Sequence, residues 1–401
     1  MNSSMHAILT LYLPSICLGW GVGLTIPIIP ELAKTFHVSI ATATLAFLAV
    51  SLGGAISTIP TGIAIDRIGR RGILSAGPII VAISALATAF ANSFNEVLIY
   101  RFLTGAGLQM WMIARQTVVA DTSRMSTRGR QYASMFGTQR TGVLLGPLVG
   151  GLAADTWGLA VPFLLQGIVA IVGLLPSLFI MRETTTVAKP QKSRQTFLLA
   201  WRDMVAYPIP VVISIQFLTG VSRGGIEAGG IFFLYASYVY DADVTTLGLL
   251  SSSLAIVGIA VALSAGYALD RLGRKAIIVP GLLCISFSLA LLSATWFAEL
   301  PFLSFLIAFS VLHMSTSSLA GSMQTLAADV APTGARGRFF GVSRLASQSG
   351  RITNPAIFAL LTLAASYGFA FLALASMAFA GGMLTAFGVK DWSREENLPQ
   401  N

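Results

Sequence analysis

Residues 62–71 read Gly62-Ile-Ala-Ile-Asp66-Arg67-Ile-Gly69-Arg70-Arg71, and residues 266–275 read Gly266-Tyr-Ala-Leu-Asp270-Arg271-Leu-Gly273-Arg274-Lys275. One turn-forming decapeptide therefore occurs twice in a chain of 401 residues. Further landmarks repeat with it: Asp121, Arg128-Gly129-Arg130, Gly142 and Pro147 return as Asp329, Arg336-Gly337-Arg338, Gly350 and Pro355. Self-similarity at one long spacing marks a structural repeat. The chain reads as two related halves.

What surrounds the repeats decides their solvent. The chain is 55% hydrophobic and 10% charged, with a mean hydropathy of +0.78. A soluble protein of this size keeps about a quarter of its residues charged, so lipid must supply the outer solvent. Apolar runs long enough to span a bilayer fall near 5–29, 40–64, 73–93, 95–120, 132–154 and 158–181. A second set falls near 207–238, 245–269, 276–297, 300–328, 339–364 and 366–389. The predicted fold is an all-α membrane protein of twelve transmembrane helices in two pseudo-symmetric six-helix bundles. Residues 1–181 form the first bundle and 207–401 the second. Between them 182–206, with Arg182, Lys189, Lys192, Arg194 and Arg202, reads as a cytoplasmic linker.

The net charge of +9 would suggest nucleic acid in a soluble protein. Here its placement matters more. Lys and Arg gather in every second loop and in the C-terminal tail. The opposite loops hold only Lys34 but carry Glu31, Glu96, Asp155, Asp241, Asp243 and Glu299. That is the positive-inside pattern, and it puts both termini in the cytoplasm of a multi-pass protein of a bacterial inner membrane. Cys17 and Cys284 both fall within apolar spans and read as small buried hydrophobes. No Ser/His/Asp order, metal-ligand cluster or phosphate-cradling loop stands outside the lipid-embedded runs, so neither an enzyme nor a cofactor or metal site is expected. Gly19, Gly21 and Gly23 lie mid-span, a context that excludes a nucleotide fingerprint.

Six spans per half is an even number, so both halves enter the membrane from the same side and are parallel repeats. Transporters built in this way bind substrate near the midplane and alternate access by rocking. In the repeated loop, Asp66 can accept bonds from a helix N-terminus, and Arg70 can pair with Asp121 at the cytoplasmic end of span 4. The loop resembles the signature of the major facilitator superfamily, a likeness that covers essentially the whole chain. The resemblance implies a gating role for Gly62, Asp66, Arg67, Gly69, Arg70 and Arg71, completed by Asp121. Gly266, Asp270, Arg271, Gly273, Arg274 and Lys275 match a weaker second copy.

Span 5 carries Gly142, Gly146, Pro147, Gly150 and Gly151. Glycines at this spacing share a face and admit another helix at backbone distance, while Pro147 removes a helix hydrogen bond. The pattern resembles the antiporter motif of the twelve-span drug/proton branch. Arg101-Phe-Leu-Thr-Gly105-Ala-Gly107 resembles the span 4 motif whose arginine is linked to proton transfer, and Pro27-Ile-Ile-Pro30 resembles the end of span 1 in that branch.

Charges left inside the membrane are expensive and face a cavity or a partner. Six arginines fall there: Arg101, Arg115, Arg140, Arg223, Arg344 and Arg351. Arg115 lies close enough to the cytoplasmic end of span 4 to snorkel. Glu227 is the one acid well inside a span and lies one turn from Arg223; the two form a permanent ion pair or a proton-exchanging one. The glycine pairs around Glu227 suggest a broken helix. Arg344, Gln348 and Arg351 share a face of span 11, with Gln139 and Arg140 at similar depth in span 5. Trp20, Gln109, Trp111 and Phe136 are cavity candidates in the first half. Gln216, Phe217, Tyr235 and His313 are their counterparts in the second. By alignment with the repeated loop, Gly19 and Gly23 stand where span 7 carries Arg223 and Glu227.

Two functions remain open. One is a monomeric proton-coupled antiporter exporting small amphipathic, drug-like compounds, with protons and membrane lipid as its other partners and no nucleic acid. The other is a transporter of an organic anion such as a carboxylate, phosphate ester or lipid head group, favoured by the interior arginines.

Overall fold

Proline and glycine set the punctuation of the helices. The computed structural model describes residues 12–122, 128–179, 207–224, 230–319, 321–330 and 336–389. Glu227 and the linker 182–206 lie outside them, as do the side chains of Asp66, Asp121, Phe136 and Asp270.

The first seven helices are α1 (Leu13–Thr25), α2 (Ile28–Thr35), α3 (Ile40–Ile68), α4 (Arg70–Ala89), α5 (Phe94–Thr122), α6 (Arg128–Trp157) and α7 (Val161–Phe179). Then come α8 (Ile209–Arg223), α9 (Gly230–Tyr240), α10 (Val244–Leu272) and α11 (Arg274–Phe297). The last four are α12 (Phe302–Ser318), α13 (Ser322–Val330), α14 (Arg336–Ala364) and α15 (Tyr367–Gly388). They make twelve spans. α1 and α2 are one span bent by 43°; α8 with α9 makes span 7, and α12 with α13 makes span 10. Among the described residues six helices are long and apolar enough to cross a membrane on their own: α3, α4, α5, α10, α11 and α15. α6 and α14 are long enough but carry interior arginines.

Two expectations about spans change here. Span 1 does not stop near residue 29 but continues as α2, because Pro27 is compatible with a bend that restarts the helix. Span 10, expected to be continuous, ends at Ser318 and restarts at Ser322 around Gly321, whose φ of +83° only glycine adopts easily.

The chain divides into two compact units: residues 1–188 with 228–253, and 189–227 with 254–401. In the first unit α1 packs on α6 and α7, and α4 on α5 and α7. Its core includes Leu18, Leu74, Val81, Trp111 and Ala114. α9 joins this unit against α2 and α3, with the Tyr238 hydroxyl donating to the Val38 carbonyl at 3.0 Å. In the second unit α8 packs on α14 and α15, and α11 on α12 and α15. Each pairing repeats one in the first unit. Cys17 is buried, but Cys284 is exposed, contrary to expectation. With Pro280, Gly281 and Met314 it lines a cavity of about 290 Å³ in the second unit.

The helix crossings fix the register of the repeat. A methyl group at Gly19 would strike the Gln139 carbonyl, and one at Gly220 the Ser347 carbonyl. At Gly23 it would stand 2.9 Å from the Gly146 Cα, and at Gly224 2.8 Å from the Asn354 Cβ. Gly19 and Gly23 thus correspond to Gly220 and Gly224, not to Arg223 and Glu227. The alignment from the loops fails in span 7 because the segments joining span to loop differ in length between the halves.

Candidate functional site

The signature loops owe their shape to one glycine each. Gly69 sits at φ 93°, ψ 168° and Gly273 at φ 90°, ψ 170°, a conformation that side-chain-bearing residues rarely adopt. Around Gly62 and Gly266 the space is open, so neither is needed for close approach. Arg71 donates from Nη2 to the Leu178 carbonyl, and Lys275 from Nζ to the Ala386 carbonyl at 2.8 Å. Each cation thus meets a carbonyl in the last turn of span 6 or span 12, where the helix dipole favours positive charge. Arg274 pairs with Asp329 at 2.8 Å, the second-half version of the pairing expected of Arg70 with Asp121. Arg67 and Arg271 are exposed, and Arg271 lies over the Tyr267 ring at 4.4 Å.

The glycine face of span 5 is used as its spacing implies. Methyl groups at Gly142 and Gly150 would strike the carbonyls of Ile16 and Leu24, and Gly146 abuts Gly23. A second face meets the start of α10: Gly151 lies against Val244, the Pro147 carbonyl against Gly248, and Ser252 donates to the Leu144 carbonyl at 3.0 Å.

Two guanidinium groups are buried in α5, and they differ. Arg101 is 5% exposed; its Nη1 donates to Thr25 Oγ1 at 3.2 Å, where α1 meets the bend of span 1. Its Nε has no hydrogen-bond partner, and among the described residues no carboxylate is ion-paired with it. Arg115 does not snorkel. It is fully buried, donating from Nη1 to Ser15 Oγ at 2.6 Å and from Nη2 to Gln139 Oε1 at 2.9 Å, with its guanidinium 4.0 Å from the Trp111 ring centre. Snorkelling was expected from its nearness to the span end; the partners on α1 and α6 hold it inward instead. Gln109 donates to Thr58 Oγ1 at 3.2 Å, and Trp20 keeps a buried Nε1 without a partner. Arg140 is exposed. Tyr235, on α9 in this same unit, is buried edge-on to Tyr240.

In the second unit Gln216 is buried and donates to the Met323 carbonyl at 2.8 Å. The Phe217 carbonyl lies against Gly350, and the His313 ring packs between Phe309 and Gly258. On α14, Arg344 is exposed while Gln348 and Arg351 are half-buried; Arg223 is half-buried at the end of α8. Sequence reasoning missed Ser15, Thr25 and Asn354. Asn354 is fully buried and donates to the Val221 carbonyl at 2.6 Å. A small polar residue inside an apolar run gives little sign of whether it faces a helix or lipid; only its depth in the bilayer could have marked it.

Known proteins place this arrangement. The family model described as Major Facilitator Superfamily matches residues 11–238 and again 212–400. The chain is 26% identical over 80% of its length to an uncharacterised MFS-type transporter of Methanocaldococcus jannaschii, covering 82% of that protein. It is 28% identical over 81% of its length to multidrug resistance protein MdtG of Enterobacter lignolyticus, covering 77% of that protein. The crystal structure of a D-xylose–proton symporter superposes with a TM-score of 0.79, covering 99% of this chain and all of the other at 16% identity, a likeness of fold alone.

Proposed function

The chain belongs to the major facilitator superfamily and is a multi-pass membrane transporter rather than an enzyme; on that premise we propose that it is a proton-coupled antiporter exporting small amphipathic, drug-like compounds by alternating access, with both termini in the cytoplasm. The observation that carries the reading is Arg101: a cation buried in span 4 whose side chain, among the described residues, bonds to a threonine hydroxyl alone. Such a residue is costly in a membrane and is functional by default. In the second half the same place in span 10 is filled by Phe309, which stacks on Phe305 with ring centres 5.7 Å apart. Packing therefore does not require the charge. The glycine face of span 5 supports exchange rather than uniport by its likeness to the antiporter motif. The multidrug-resistance relatives support a drug-like substrate.

In this mechanism Glu227 takes up a proton from one side and releases it to the other. Protonation removes its charge and frees the cations of its surroundings, so that proton and substrate occupy the transporter in alternation. Arg223 is the residue that feels this change. A second reading, transport of an organic anion, rests on the same Arg101, because a buried guanidinium with no ion-paired carboxylate among the described residues is also suited to receive an anion.

Proteoliposomes under an imposed pH gradient separate the two, with ethidium, chloramphenicol and salicylate as cationic, neutral and anionic probes. Gradient-driven movement of ethidium or chloramphenicol, lost in Glu227→Gln, is the expected result. Movement of salicylate alone selects the anion reading. Uphill transport at the normal rate in Glu227→Gln overturns the role of that residue.

A further inference from the structure

One seam between helices is filled in the first unit and open in the second. In the first, a methyl on Gly77 of α4 would stand 2.7 Å from the Gly107 carbonyl oxygen and 2.7 Å from the Trp111 Cβ, both on α5. Trp111 is 1% exposed and packs in the core with Leu74 and Val81. The spacings that carry Asp66 to Asp270 and Asp121 to Asp329 carry Gly77 to Gly281, Gly107 to Ser315 and Trp111 to Leu319. Gly281 still meets Leu319, but a leucine replaces the indole, and Ser315 puts a side chain where Gly107 allows backbone contact. The result is the cavity of about 290 Å³ among α10, α11 and α12 that holds Cys284.

The walls of this groove suit hydrocarbon. Ser315 and Ser318 donate their hydroxyls to the Val311 and Ser315 carbonyls of their own helix, at 2.7 and 2.8 Å. Pro280 and Cys284 are exposed along it, and the exposed stripe of α11 continues to Phe287. Toward the signature loop the chemistry changes. Arg274, Ile277, Gly281 and Cys284 follow at helical spacing on one side of α11, so the Arg274 guanidinium stands above the mouth of the groove. Its Nε donates to Asp329 at 2.8 Å, and among the described residues neither Nη donates to anything. Both partners of that ion pair are half-buried.

We propose that the seam of spans 8, 9 and 10 is a binding site for a glycerophospholipid, with one acyl chain in the groove beside Cys284 and the phosphodiester on the Nη groups of Arg274. A planar guanidinium with two unused donors matches phosphate oxygens, and a basic residue between spans at the membrane edge is where lipid head groups are held. Placing the lipid in the cytoplasmic leaflet rests on the orientation proposed above; the site does not.

Binding in detergent tests the site independently of orientation and transport. The full chain, delipidated in dodecyl maltoside, is titrated by native mass spectrometry with dioleoyl phosphatidylglycerol, dioleoyl phosphatidylethanolamine and dioleoylglycerol, which has the same chains and no phosphate. Losing a charge-assisted hydrogen bond corresponds to about tenfold in affinity. Both phospholipids should therefore bind about tenfold more tightly than dioleoylglycerol. Arg274→Gln should bring them down to its level, whereas Asp329→Asn, which breaks the same ion pair but keeps the guanidinium, should not. Cys284→Phe fills the groove and should weaken all three. A second readout needs no variant: Cys17 is buried, so N-ethylmaleimide reports on Cys284, and either phospholipid should slow its labelling several-fold. Equal affinity for dioleoylglycerol and the phospholipids overturns the proposal, as does unchanged binding in Cys284→Phe or unprotected labelling of Cys284. Equal losses in Arg274→Gln and Asp329→Asn would also overturn it, because the ion pair rather than a phosphate contact would then matter.

Discussion

The same bridge is built twice in this molecule, once with a charge and once without. In the first unit Arg115 reaches from span 4 to Ser15 on α1. In the second, Gln216 reaches from α8 to the Met323 carbonyl on span 10. Ser15 and Gln216 hold equivalent places on their helices, as do Arg115 and Met323, so the donor has changed sides. Tying span 1 to span 4 does not call for an ion. Arg101 against Phe309 makes the same point one segment further out. The crossings and loops that repeat are the shared mechanical parts, and the buried cations of span 4 are an addition to one half.

The shared parts give the largest expected effect. A methyl at Gly142 meets the Ile16 carbonyl, and one at Gly350 the Phe217 carbonyl. Backbone cannot move aside cheaply, so Gly142→Ala and Gly350→Ala should each cost about 3 kcal/mol or more, at the severe end of overpacking. Thermal unfolding in detergent, read with the yield of monodisperse protein, checks both. If one substitution is harmless and the other is not, the two crossings are not mechanically equivalent.

Much of this was legible in the sequence because it rests on residue types with few alternatives. Gly69 and Gly273 announce a conformation, and Gly142, Gly146 and Gly150 a face. The candidate site was less legible. Arg101 and Arg115 were found as charges in apolar runs, but depth alone could not tell that Arg115 turns inward, since that depends on Ser15 and Gln139 from two other helices. Asn354 and Thr25 were invisible for a similar reason: their meaning lies in a carbonyl and a guanidinium far away in sequence. The break in span 10 was missed because one left-handed glycine in an apolar run looks like any packing glycine.

The charged bridge gives the intermediate effect and can be rewritten. Arg115→Met removes two hydrogen bonds and the contact with Trp111, leaving Ser15 and Gln139 without their donor. That should cost about 2 kcal/mol, the middle of the range for a buried polar group that loses its partner. Adding Ser15→Gln installs the second unit's solution in the first, and the double variant should regain about 1 kcal/mol. Removing a buried ion can itself be stabilising, which works in favour of the rescue. Unfolding midpoints of both singles and the double, arranged as a cycle, measure the coupling. No recovery in the double variant would mean that the amide bridge depends on the broken geometry of span 10.

The smallest expected effect lies at the ends of spans 6 and 12, where Arg71 and Lys275 meet the carbonyls of Leu178 and Ala386. A cation at a helix C-terminus contributes about 0.3–1 kcal/mol at an exposed position and loses it as salt screens the charge. Arg71→Met and Lys275→Met should each fall in that range, and more so at low ionic strength than at high. Arg71→Lys is the sharper variant. One half already uses lysine for this contact, so a lysine in the other should melt within about 0.5 kcal/mol of wild type. A larger loss would show that the Arg71 guanidinium makes a planar, two-handed contact that an ammonium cannot copy. The last residue of the signature loop would then be one more place where the first half makes a contact that the second does not repeat.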